Sequence, residues 1–324
     1  MGAVICSIKS FLDTIIDIVG IKSGLVLSRH EVIEILKTRT EDFDLEEDDL
    51  NQGMRIRSET YEDHIRYVRV RIGNLSPEMM NPFLWSDTLI KWHKKGIDPM
   101  PVVKALATVS AKHPQQKVDP ELVISEMQGL VPTAPLDLIF SVIRLWIDHQ
   151  HQSHYITQPQ IEEWDGGTPL TNLFSCEIRT GNNFMDQKFL DYIAANIEKI
   201  QEMHWRNFER FCAEFFNRLG YHIKLGPGGN DGGIDIRAFD PADNTKPLII
   251  IQCKRYKNGL QVGIETVKAF YTDVEFEQAK QGIIITTSAI APGGKKVCEA
   301  RKYPLTFAEI DEVQRWAKAM SSNT

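Results

Sequence analysis

A carboxylate, an amide and an ammonium group lie at the ends of two apolar stretches: Asp235, Gln252 and Lys254. Asp235 follows a glycine-dense turn, and the other two residues end the apolar run at 248–251. Because strand side chains alternate, Gln252 and Lys254 are expected on one face and Cys253 on the other. If the two strands pair as a hairpin, the three polar groups converge. Carboxylate and amide oxygens can hold a hard divalent cation, and a nearby lysine can orient a water molecule.

The elements that would position these groups follow from the hydrophobic pattern of the C-terminal part. A helix is predicted at 187–200, and a second helix ends at Gly220, a favourable residue beyond a helix C-terminus. From this second helix onward the predicted order is helix, three strands, helix, strand, helix, short strand and helix. The predicted bounds are 205–219, 221–225, 234–238, 248–254, 262–278, 282–287, 295–301, 305–310 and 311 onward.

Four segments in this order resemble the Mrr-like restriction endonucleases. These form a branch of the PD-(D/E)xK nuclease superfamily in which Gln replaces the usual carboxylate before x-Lys. The segments are a helix bearing an acidic residue, a glycine-Asp motif, a Gln-x-Lys motif and a following strand, at 208–221, 231–235, 252–256 and 282–288. The resemblance does not cover residues 1–185. It implies an α/β (mixed α+β) restriction-endonuclease-like fold with a central mixed sheet flanked by helices.

The resemblance also implies a role for each residue of the motifs. Asp235 would be the central metal ligand, with the Gln252 amide oxygen and the Cys253 carbonyl as further ligands. Lys254 would position the attacking water, and Glu209, one turn into its helix, would reach the metal directly or through water. The expected catalytic set is therefore Glu209, Asp235, Gln252 and Lys254. The expected cofactor is Mg²⁺, which needs few protein ligands, with Mn²⁺ as a substitute.

Two neighbouring groups leave alternatives open. Arg255, Tyr256 and Lys257 form a basic, aromatic cluster that suits nucleic-acid phosphate contact and equally suits an ordinary surface edge. Glu214 shares a helix with Glu209, but a spacing of five residues turns the two carboxylates to different faces, so only one of them is expected at the site.

Charge and cysteine content set the expected partner and compartment. The net charge is −7, but residues 201–324 carry 17 Lys+Arg against 15 Asp+Glu, which leaves the acidity in the rest of the chain. This balance tolerates a DNA partner without predicting tight unaided binding. Five widely spaced cysteines indicate a reducing cytoplasm and no zinc site. The apolar stretch at 11–27 is interrupted by charges, so no membrane span is expected.

The predicted domains are a mainly helical N-terminal domain at 1–150, a polar linker at 151–185 and the nuclease domain at 186–324. Recognition, sensing and assembly all remain open as roles of the N-terminal domain. An acidic run at 41–49 is interpreted as a solvated linker, with a DNA-mimicking or autoinhibitory strip as the alternative.

These observations predict a Mg²⁺-dependent endodeoxyribonuclease that restricts foreign or modified double-stranded DNA or defends against phage. A homo-oligomer, dimer or higher, is expected because a double-strand cut needs two sites. One alternative is a catalytically silent module that binds nucleic acid or protein on the same fold. Another is a nuclease acting on RNA or branched DNA, since a fold does not determine a substrate.

Overall fold

The structure is a computed structural model that describes residues 2–39, 49–113, 120–152, 166–178, 180–229, 232–257 and 259–322. The acidic run, apart from Asp49, lies outside these residues. The chain divides into two compact units. The first comprises Met1–Lys22, Ser28–Val70 and Leu75–Gly167, and the second comprises Ser23–Leu27, Arg71–Asn74 and Thr168–Thr324. This division differs from the predicted boundaries, because the second unit begins within the expected linker and includes two short N-terminal segments.

The first unit is mainly helical. Strands β1 and β3 pair as an antiparallel ladder that was not predicted; β2 belongs to the second unit. The strands are β1 (Ala3–Ser7), β2 (Leu25–Val26) and β3 (Gly53–Arg57). The helices are α1 (Ile8–Ser23), α2 (Arg29–Lys37), α3 (Ser58–Arg71), α4 (Leu84–Lys94), α5 (Met100–Lys112), α6 (Pro120–Leu130) and α7 (Leu136–Gln152), with a 3-10 helix at Pro77–Met80.

Local sequence signals account for these helices. The Ser28 hydroxyl accepts from the Glu31 amide, and the Glu31 carboxylate accepts from the Ser28 amide, so the predicted capping box is confirmed. The prolines that separate α5, α6 and α7 stand at or before helix starts. Helices α4 to α7 bury a common apolar core that includes Trp92, Leu106 and Met127. No described helix is long and apolar enough to cross a membrane.

The second unit is built on a five-stranded mixed sheet in the order β11-β9-β7-β6-β5. Its strands are β5 (His222–Leu225), β6 (Ile236–Phe239), β7 (Ile249–Lys254), β9 (Gln281–Thr286) and β11 (Leu305–Ala308). Strands β5, β6 and β7 are antiparallel neighbours, whereas β7, β9 and β11 run parallel. Besides β2, three further described short strands lie outside this sheet: β4 (Thr168–Pro169), β8 (Gln261–Val262) and β10 (Ala289–Ile290).

Helices cover this sheet and confirm the predicted order of elements. They are α8 (Asn172–Ser175), α9 (Gln187–Ala195), α10 (Trp205–Arg218), α11 (Ile264–Glu277), α12 (Pro292–Arg301) and α13 (Ile310–Met320). The single helix predicted at 187–200 is wrong. It ends at Ala195, and a 3-10 helix follows at Ile197–Glu202, because the Asn196 side chain turns to bond the carbonyls of Arg71 and Tyr192.

Two short N-terminal segments are integral parts of the second unit. Leu25 and Val26 pair in parallel with Thr168 and Pro169 to form the β2–β4 ladder. Gly73 is packed so closely that a β-carbon there would lie 2.2 Å from the Asp191 carbonyl oxygen. The second unit therefore draws its structure from three separate parts of the chain.

Candidate active site

The pairing of β6 with β7 brings Asp235 to the end of the Gln-x-Lys strand, as the hairpin prediction required. Ile236 lies opposite Ile251, and the Asp235 amide donates to the Ile251 carbonyl at 3.0 Å. One Asp235 carboxylate oxygen, Oδ2, accepts from the Cys253 amide at 2.6 Å. This bond holds the Asp235 side chain against β7 just beyond the last residue pair of the β6–β7 ladder.

The Gln252 side chain is held in one orientation by the glycine turn. Its Nε2 donates to the Gly233 carbonyl at 2.9 Å. Only the nitrogen end of the side-chain amide can donate a hydrogen bond, so this contact fixes which end of the Gln252 amide faces Gly233. The other end of the amide, Oε1, is buried and has no hydrogen-bond partner among the described residues. Gln252 and Asp235 are 7% and 8% exposed, respectively. A buried acceptor without a donor is costly, and a bound cation or its water would satisfy it.

The position of the Cys253 carbonyl follows from the same ladder. The N–H and C=O groups of one strand residue point to the same neighbouring strand. Because the Cys253 N–H bonds Asp235, its carbonyl also points towards the end of β6, where it was expected to act as a ligand. The thiol lies on the opposite face near Cys212, and burial raises its pKa well above the ordinary value.

Two buried threonines at the end of β9 fix the backbone around Lys254. The Thr286 hydroxyl donates to the Lys254 carbonyl at 2.8 Å. The Thr287 hydroxyl accepts from the Tyr256 amide and donates to the Tyr256 carbonyl, at 2.9 and 2.8 Å. The partly exposed Lys254 ammonium makes no hydrogen bond or ion pair with any described residue. It is therefore available to a ligand at the strand end.

Glu209 reaches the strand end from the other face of the sheet. It is 6% exposed on α10, which contacts β6 and β7. Its negative charge adds to the rise in the pKa of the Cys253 thiol, which burial mainly causes. Its Oε2 accepts from Arg206 at 2.6 Å. Gln252 and Lys254 point to the opposite face of β7, so Glu209 approaches the strand end from the Cys253 side.

Arg206 is a residue of this region that the motif reading missed. Its guanidinium bonds both the Glu209 carboxylate and the Gly226 carbonyl, the latter at 2.7 Å, and it packs against Gly228, where a β-carbon would lie 3.2 Å away. Gly228 has a φ of +77°, which favours glycine. Arg206 thus ties α10 to the glycine turn. An arginine one turn before an expected catalytic glutamate was the only signal in the sequence.

The expected nucleic-acid-binding cluster is divided by the structure. Arg255 donates to the Gln201 carbonyl at 3.1 Å, and Tyr256 packs against the core between the sheet and α11. Lys257 is exposed. Glu214 is buried away from the strand end, where it bonds Arg218 and the Phe184 amide.

The donor atoms at this site suit a hard divalent cation. Within the described ranges, no three His, Cys, Asp or Glu side chains are grouped closely enough to hold a metal. The Asp235 carboxylate, Gln252 Oε1 and the Cys253 carbonyl supply oxygen atoms instead, which is the set that Mg²⁺ accepts together with water. The orphaned Gln252 oxygen is the feature that fits such an ion.

The order of elements in the second unit is that of a restriction-endonuclease-like fold, with Asp235 and the Gln-x-Lys residues at the end of its central strands. Residues 200–317 match the family model Mrr_cat, described as a restriction endonuclease. The resemblance to the Mrr-like enzymes is therefore confirmed for this part of the chain.

Three further comparisons each match part of this chain to part of another protein. The chain is 22% identical over 122 residues to the "Uncharacterized protein y4cE" of Sinorhizobium fredii (strain NBRC 101917 / NGR234), which is 37% of this chain and 31% of that protein. It is similar to the MspJI restriction endonuclease in complex with a 27-mer oligonucleotide (TM-score 0.32, 13% identity, 46% of this chain and 36% of that one). It is also similar to the DNA modification-dependent restriction endonuclease AspBHI (TM-score 0.33, 18% identity, 46% and 40%). The chain thus spans about a third of each of these proteins.

Proposed function

We propose that the second unit is a Mg²⁺-dependent endodeoxyribonuclease that hydrolyses phosphodiester bonds of double-stranded DNA, with Mn²⁺ as a substitute ion. Its role would be restriction of foreign or modified DNA or antiphage defence in the cytoplasm. The observation that carries the proposal is the buried, unpartnered Gln252 Oε1 next to Asp235. The bond to the Gly233 carbonyl fixes the orientation of the amide, which supports a ligand role for this oxygen.

Each residue contributes a defined part to such a reaction. Asp235, Gln252 Oε1 and the Cys253 carbonyl would hold the ion, which when bound lowers the pKa of water and stabilises charge on the phosphate oxygens. Lys254 would donate hydrogen bonds to the attacking water and offset negative charge developing on the phosphate. The Thr286 hydroxyl holds the Lys254 carbonyl in place, and the Thr287 hydroxyl holds the Tyr256 backbone two residues further on. Glu209 would contact the ion through water, from the α10 side.

Contact with DNA would fall to the exposed residues near the strand end. Lys257 is free to meet a phosphate, whereas Arg255 bonds the protein backbone. A symmetric dimer is part of the proposal, because each strand of a duplex needs its own site. The first unit would recognise DNA, sense a trigger or support assembly.

The test is cleavage of plasmid DNA, with and without methylated bases, by the full-length protein in Mg²⁺, Mn²⁺ and EDTA. Asp235→Ala and Lys254→Ala should abolish cutting, while Lys280→Ala, at an exposed position beyond α11, should cut at the wild-type rate. A wild-type protein that binds these DNAs without cutting any of them in either metal would support a silent binding module instead. RNA and branched DNA substrates in the same assay separate the remaining alternative.

A further inference from the structure

A second carboxylate lies near the Gln252 amide, on a helix that the motif does not include. A β-carbon built at Gly233 would lie 3.0 Å from Gln252 Nε2 and 3.8 Å from Asp273 Oδ2. Both side chains therefore border the same small space above Gly233, whose φ of +89° and lack of a side chain keep it open. Asp273 belongs to α11, one turn after Phe270.

The alternation along β7 places Asp273 on the motif's own face of the sheet. Ile250 packs in one core cluster with Val267 and Phe270 of α11. Gln252 and Lys254 follow Ile250 at steps of two and so point to this same face. Asp273 therefore shares a face with the Gln-x-Lys pair, whereas Glu209 approaches from the other side.

Asp273 has no cationic partner among the described residues, unlike the Glu277 carboxylate on the same helix. Arg237, on β6, donates two hydrogen bonds to Glu277, at 2.7 and 3.2 Å, one turn further along α11. Half-buried Asp273 makes no hydrogen bond or ion pair with any residue in the described part of the chain. Burial, together with the charge of Glu277, raises the pKa of its carboxyl. A carboxylate in such surroundings is costly unless a cation or bound water compensates it.

We propose that Asp273 is a positioning residue of the metal site, whose carboxylate accepts hydrogen bonds from water molecules bound to the ion held by Asp235 and Gln252. This inference rests on the proposed function. A carboxylate that acts through water lies outside ligand distance of the ion. Mg²⁺ keeps several waters when it binds protein, and those waters need acceptors. Asp273 would supply one such acceptor, whereas the Gln252 oxygen would bind the ion itself.

The test measures Mn²⁺ binding to the full-length protein without DNA, by calorimetry or by the paramagnetic signal of the free ion. Asp273→Asn should weaken binding by about 10-fold to 100-fold, the usual effect of losing an outer-shell partner. Asp273→Glu, which keeps the charge, should recover part of this loss. Glu265→Gln, at an exposed carboxylate on the same helix, should bind as the wild type does. Thermal unfolding of the metal-free variants is measured in parallel.

The outcomes separate this inference from the proposed function. Weaker Mn²⁺ binding by Asp273→Asn, with an unfolding temperature in EDTA no lower than that of the wild type, supports the inference. Wild-type binding by Asp273→Asn, beside lost binding by Asp235→Ala, overturns this inference alone. Unchanged Mn²⁺ binding by Asp235→Ala would show that the ion does not bind at Asp235, and it would overturn both the proposed function and this inference. An Asp273→Asn protein that is destabilised in EDTA shows a structural role and overturns the inference.

Discussion

Replacing Gln252 by Glu tests how the amide is held. The substitution introduces a carboxylate, but at this position it removes the donor to the Gly233 carbonyl and sets two oxygen atoms 2.9 Å apart at a 7% exposed site. In EDTA near neutral pH we expect Gln252→Glu to lower the free energy of unfolding by about 2–4 kcal/mol, from a lost buried hydrogen bond and an uncompensated buried charge.

Metal and pH should both reduce this loss. A carboxylate binds a divalent cation more tightly than an amide does, and each tenfold gain in affinity closes the gap to the wild type by about 1.4 kcal/mol. Lowering the pH to about 5 favours protonation of a buried carboxyl, which can then donate to the Gly233 carbonyl. The loss in EDTA should therefore shrink with added Mg²⁺ and also with acid.

The assay is urea unfolding of both proteins with EDTA and with Mg²⁺, at two pH values. The matched control is Gln281→Glu, which alters an exposed side-chain bond to Thr306 at the start of β9 and should cost under about 1 kcal/mol with no response to metal. If Gln252→Glu in EDTA matches the wild type within error, the amide is not held as described, and the argument from its orphaned oxygen fails.

Three further predictions concern the supports of the site and the first unit. Arg206→Met should destabilise the protein by about 3–5 kcal/mol in urea unfolding, because it removes the guanidinium that forms an ion pair with the buried Glu209 carboxylate. Thr287→Val removes two hydrogen bonds to the Tyr256 backbone and should cost about 2 kcal/mol and slow DNA cleavage. Burial lowers the pKa of His64 from 6.5 to about 4, so the unfolded chain binds a proton that the native state does not as the pH falls through this range. The wild type should therefore lose about 3 kcal/mol more than His64→Gln between pH 6.5 and 4.

Each of these predictions has a control. Adding Glu209→Gln to Arg206→Met should recover much of the lost stability, and a double variant no better than the single one would show that Arg206 acts mainly by packing. Thr272→Val, on an exposed face of α11, should leave stability and cleavage unchanged. Parallel pH profiles for the wild type and His64→Gln would contradict neutral burial of that imidazole.

Much of the second unit could be predicted from the sequence because its signals are local. The run at 248–251 and the alternation after it are enough to place Gln252 and Lys254 on one face of a strand. Gly220 marks the end of α10, and Ser28 marks the start of α2. In each case the structural cause lies within a few residues of its signal, so a single sequence contains it.

The parts that were not predicted depend on contacts between distant residues. The β1–β3 ladder joins strands about 50 residues apart, and neither strand has a strong alternating pattern. Arg206 and Asp273 are ordinary charged residues on amphipathic helices until the fold sets them beside the glycine turn. The break at Asn196 depends on the Arg71 carbonyl, which is remote in the sequence. Such partners are a property of tertiary packing.

The threading of the second unit limits how this protein can be divided. Its β2–β4 ladder and the close fit of Gly73 against Asp191 use residues made long before the nuclease motifs emerge from the ribosome. Their partners, Thr168, Pro169 and Asp191, lie in the middle third of the chain, far from both segments in the sequence. A gene fragment that begins at residue 186 leaves both segments behind, so recombination at that point would not transfer a whole structural unit.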